Sequence, residues 1–66
     1  MDYVELKKII DESGMKRSYI AKCLGMSDVT FHNRINGKSS WKIEEVQAFC
    51  DLFKISKLRR AHIFLP

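Results

Sequence analysis

The stretch from Arg17 to Asn36, RSYIAKCLGMSDVTFHNRIN, decides how this chain folds. Two short apolar patterns flank a break at Leu24-Gly25-Met26-Ser27. Ile20, Ala21 and Leu24 recur at helical spacing on the first, while Phe31 and Ile35 anchor the second. Gly25 stands where the chain must turn through a left-handed conformation that glycine adopts freely. Met26 is placed to plug the turn into the core. Ser27 is a side-chain cap for the second helix, and Asp28 puts an acid in its first turn, where the helix dipole favours one. Ala21 is small where the two helices must cross closely. Asn36-Gly37, both tolerant of positive φ, ends the second helix.

Upstream, Asp2 is a good N-cap, and Tyr3, Leu6, Ile9 and Ile10 form an apolar stripe. Glu5, Lys7, Lys8, Asp11 and Glu12 surround that stripe, and Ser13-Gly14 closes this first helix. Downstream, the polar loop Lys38-Ser39-Ser40 leads to a fourth helix, from about Trp41–Ile43 to Phe53. Ile43, Val46, Phe49, Cys50 and Phe53 are its expected core face, with Trp41 a lid beneath the loop. Ser56 would cap a short fifth helix carrying Leu58, Ala61, Ile63 and Phe64 inward. No repeat, linker or low-complexity segment interrupts the chain. The expected fold is all-α, a compact bundle of about five short helices in one domain over residues 1–66.

With 66 residues, the chain has little room for a catalytic cleft and its supporting shell. A hydrophobic content of 45% suffices for a small core and is too high for a disordered basic tail. No apolar run approaches the ~18–20 residues of a membrane span, and no signal-peptide pattern opens the chain. Cys23 and Cys50 both sit in helical patterns and read as reduced, semi-buried thiols, which with the rest points to the cytoplasm. The two cysteines, His32 and His62 lack metal-ligand spacing. No phosphate-binding glycine loop, nucleophile elbow or carboxylate pair is present. The expectation is a non-enzyme without metal, cofactor or small-molecule substrate. The net charge of +4 lies wholly in residues 34–66, because acids and bases cancel over residues 1–33. That asymmetry suits a polyanionic partner.

A short helix, a tight turn and a second short helix locked around Ala21 and Phe31 make a helix-turn-helix, whose second helix lies in the DNA major groove. Ile20-Ala21, Leu24-Gly25-Met26-Ser27, Thr30-Phe31 and Asn36-Gly37-Lys38 together resemble the helix-turn-helix of phage Cro and repressor proteins, the XRE-type family. The run Thr30 to Lys38, followed by Trp41 and Glu45-Val46, is similar to a subgroup of phage regulators from Gram-positive hosts. The resemblance covers roughly Leu6 to Ile55. The chain departs from it at Lys16-Arg17, where most members carry Thr-Gln, at Arg34, where many carry an aliphatic residue, and at Lys42, where a Ser or Thr cap is common.

The resemblance implies base contacts from Ser27, Asp28, Val29, His32 and Asn33. Chemically, Asn33 can contact adenine bidentately, Asp28 can accept from cytosine, and Val29 can pack on a thymine methyl. Each has a plainer alternative: Ser27 as cap, Asp28 as dipole complement, His32 as a solvated helix residue. Lys16 and Arg17 stand at a helix N-terminus, where cations oppose the dipole, so an outside phosphate is the expected partner. Asn36, Lys38 and Lys42 cluster in the loop where family members touch the DNA backbone. Arg34 would either reach a phosphate or snorkel along the helix side.

The expected function is therefore a sequence-specific regulator of transcription, a Cro-like repressor of a phage or prophage, holding a double-stranded DNA operator in a bacterial or phage-infected cell. The alternative is a protein-interaction adaptor or anti-repressor using the same helical fold without DNA. Two copies are expected on DNA, since one recognition helix covers too few base pairs for an operator. Leu58, Ala61, Ile63, Phe64 and Leu65 are the expected contact surface between them.

Overall fold

Asp2 begins the structure as expected, accepting the Glu5 backbone N–H at 3.0 Å and so capping α1, Tyr3–Glu12. The computed structural model describes residues 1–65, and Pro66, part of the expected single domain, lies outside them. Four more helices follow: α2 (Arg17–Cys23), α3 (Asp28–Ile35), α4 (Ile43–Phe53) and α5 (Lys57–Phe64). The described residues contain no strand, and none of their helices is long and apolar enough to cross a membrane. Ser27 and Ser56 cap α3 and α5 by accepting the N–H groups of Thr30 and Arg59.

Every helix sends at least one side chain into the same core. Leu6 and Ile10 come from α1, Ile20 and Ala21 from α2, Phe31 and Ile35 from α3, Phe49 from α4 and Ile63 from α5. The chain ends meet as well, since the Asp2 N–H donates to the Ile63 carbonyl at 2.8 Å. Trp41 is the expected lid. Its ring meets Phe49 and Phe64 edge-on, with centroids 5.6 and 5.2 Å away, and its indole N–H donates to the Arg34 carbonyl at 3.1 Å.

Three inward assignments fail. Ile43 is 69% exposed because it opens α4, where the helix overhangs the core that begins at Val46. Leu58 is 87% exposed. It precedes the fully buried Ile63 by five residues, which at 3.6 residues per turn puts it about 140° round α5. Burial of Ile63 also removes it from any surface between copies. Cys23 is exposed rather than semi-buried, whereas Cys50 is buried. One feature carries no sequence signal: α4 stops at Lys54, which takes a left-handed conformation (φ 54°) usually filled by glycine.

Candidate nucleic-acid interface

Close packing at Ala21, which is fully buried, sets how α3 lies across α2. Gly25 turns the chain with φ +71°, and Met26 donates its N–H to the Ala21 carbonyl at 2.9 Å, fastening the turn to α2. Phe31 and Ile35 then hold the inner side of α3 in the core. The opposite side of the helix faces outward. Ser27, Asp28, Val29 and His32 are exposed there, and Asn33 is half-buried beside them. The Ser27 hydroxyl is already engaged, accepting from the Thr30 N–H at 3.1 Å and donating to the Thr30 hydroxyl at 2.9 Å. Arg17 and Ser18 of α2 share a shallow groove with Asp28, Val29 and His32 of α3.

At the entrance to α2, Lys16 occupies the N-cap position and is exposed, and no side chain caps the helix. Arg17 reaches back to Asp11 at 3.1 Å, with the two side chains 46% and 65% exposed. A pair that open to solvent is weak and screened by salt, so Asp11 does little to hold Arg17 in place.

The other flank is the loop after α3, and most of its contacts lead back to that helix. Lys38 and Ser39 donate their N–H groups to the Asn33 carbonyl at 2.9 and 3.4 Å. Arg34 donates from Nε to Glu45 Oε1 at 2.8 Å, from Nη2 to Oε2 at 3.3 Å, and from Nη1 to Ser39 Oγ at 2.6 Å. Glu45 Oε1 also accepts the Lys42 N–H at 2.8 Å, which supplies the α4 cap that Lys42 itself cannot. The hydrogen bonds from Arg34 hold the Glu45 carboxyl below its ordinary range, and those same bonds raise the Arg34 pKa. Arg34 is therefore held as a strut between α3 and α4 rather than lying free along the helix side.

Asn36 is tied down too. Its amide donates to the His32 carbonyl at 2.8 Å, and its oxygen accepts from Lys7 Nζ at 2.6 Å. Lys7 of α1 thus arrives at the edge of this loop, a cation that sequence reasoning did not place there. Its only signal is a position on the polar side of α1, which is no signal of contact across 29 residues. Gly37 keeps φ +75° against Tyr3, whose ring would lie 3.0 Å from any added Cβ. Among the described residues, the ion pairs are Arg17–Asp11, Arg34–Glu45 and Arg59–Glu5. Lys16, Lys38 and Lys42 consequently stand exposed without a carboxylate partner.

The residue pattern of this helical domain matches one family model over residues 1–65. The chain belongs to the DUF739 family. That family is described as proteins of unknown function. No curated protein and no solved structure matches the chain. In this DUF739 member, Lys16 and Arg17 at the α2 entrance precede α3 in the chain, and Lys38 and Lys42 follow it in the next loop.

Proposed function

We propose that this chain is a sequence-specific double-stranded DNA-binding regulator, a Cro-like repressor of a phage or prophage that acts in the cytoplasm by occupying an operator. The observation that carries the reading is Val29. It is 70% exposed in the first turn of α3, among the exposed polar side chains of Ser27, Asp28 and His32. A β-branched apolar group held in water on a rigid helix gains by packing on a thymine methyl, while Asn33 and Asp28 read adenine and cytosine edges. Ser27 serves as cap and presents its hydroxyl at the same turn. Lys16, Arg17, Lys38 and Lys42 supply phosphate contacts on both sides, joined by Lys7, which Asn36 positions. The protein does no chemistry; occupancy alone excludes polymerase or a competing regulator.

Two copies bind together on DNA, with half-sites about one helical turn, ~34–36 Å, apart. Selection of bound duplexes from a random pool tests the whole reading. The expected result is an enriched, two-fold symmetric motif whose binding weakens steeply with salt. Recovery of no motif, with retention no stronger than for random duplex, would overturn it in favour of an adaptor without DNA.

A further inference from the structure

Away from α2 and α3, an open groove of about 750 Å³ runs between the start of α4 and the side of α5. Trp41, Ile43 and Val46 line it together with Ala61, Phe64 and Leu65. Ile43 and Leu65 are 69% and 62% exposed, so a substantial apolar surface is left in water. Lys57 and Arg60 are the charged side chains among the described residues that line the groove, while Glu44, next to Ile43, lies on the adjoining surface. The neighbouring Arg59 is neutralised by Glu5 at 2.9 Å. Among the described residues Lys57 has no ion-pair partner, and the Arg60 guanidinium donates only to the neutral Gln47 amide at 3.0 Å, through which Asp51 lies one hydrogen bond further on.

An apolar floor with a cationic border selects its occupant by charge. A second copy bound symmetrically through this groove would bring Lys57 and Arg60 towards their own symmetry mates. A bare polyanion would satisfy the cations and leave Ile43, Phe64 and Leu65 wet. We propose that the α4–α5 groove docks an acidic amphipathic peptide segment of a partner protein. Its large apolar side chains seat against Trp41, Ile43 and Phe64, and its Asp or Glu side chains pair with Lys57 and Arg60. No lining residue belongs to α2 or α3, although Trp41 and Ile43 flank Lys42 of the proposed DNA-contacting loop, so the two surfaces are neighbours.

The test is an NMR titration of the ¹⁵N-labelled chain with a short synthetic peptide of alternating Asp/Glu and Leu/Phe. One control peptide replaces the acids with lysine, and another replaces the apolar residues with serine. The expected result is saturable shifts at the Trp41 indole and at Ile43, Lys57, Arg60 and Phe64, with neither control reproducing them. Lys57→Glu with Arg60→Glu should weaken binding about tenfold or more, while Lys8→Glu with Lys22→Glu, equal in charge but outside the groove, should not. Shifts spread over all basic residues, equal binding of the serine peptide, or shifts centred on α3 would each overturn the proposal. So would a dilution-dependent dimer in sedimentation whose dissociation moves the same groove signals, since a second copy would then be the occupant. A parallel titration with operator duplex separates the two readings. Peptide shifts without DNA binding sink the regulator alone, and DNA shifts without peptide binding sink the groove alone.

Discussion

Arg34 and Glu45 join the end of α3 to the start of α4 through a two-pronged ion pair, 2.8 Å at its shorter contact, with each side chain only 13% exposed. The same carboxylate caps α4 by accepting the Lys42 N–H, and the same guanidinium holds Ser39. The loop bearing Lys38 and Lys42 is therefore shaped by a pair that touches neither of those ammonium groups.

Because Arg34 lowers the Glu45 pKa, the pair makes stability depend on acidity. A carboxylate lowered in the folded state adds stability that is complete above its ordinary value of 4.5 and is lost as the pH falls through the folded value. Glu45→Gln keeps the shape and removes the charge. Thermal melts should show this variant several degrees less stable than the parent at neutral pH, with the gap closing well below pH 4.5. A gap that stays constant across that window would show that the pair adds no charge-dependent stability.

Asn33 lies beside the exposed face of α3 while Phe31 and Ile35 carry the packing. Asn33→Ala should cost specific DNA binding about 1–3 kcal/mol and relax preference at one base position, with the fold intact by circular dichroism. Equal losses on specific and random duplexes would make Asn33 a backbone contact instead.

Arg17 pairs with an exposed aspartate that a phosphate can replace, and Lys38 has no carboxylate partner among the described residues. Replacing either with alanine should weaken binding to all duplexes and lower the slope of log affinity against log salt by about one unit. Fluorescence anisotropy at several salt concentrations measures this. An unchanged slope for either variant would place that cation away from the DNA.

Lys54 holds a left-handed conformation at the end of α4. Glycine removes the Cβ clash at some cost in unfolded-state freedom, so Lys54→Gly should stabilise the chain by about 0.5–1 kcal/mol. Urea unfolding checks this, and a loss of stability would mean that the lysine side chain contributes more than its backbone costs.

The amino-acid order alone determined the five-helix plan, because caps and apolar spacing are local. Asp2, Ser27 and Ser56 each cap the helix that their positions announced, and Phe31 and Ile35 face inward as their four-residue spacing requires. The outward side of α3 was legible for the same reason, being what remains when those anchors are buried. Only the tertiary structure decided the roles of Arg34, Asn36 and Lys7, and the exposure of Leu58 and Ile43. Arg34 needs a carboxylate 11 residues away, and Lys7 needs an amide 29 residues away; neither distance leaves a periodic trace in the chain. Leu58 and Ile43 were misplaced because helical spacing states which residues share a face but not how far that face extends over its neighbours. That limit is set by where α4 overhangs the core and by how α5 turns Ile63 into it, and both depend on helices meeting in space.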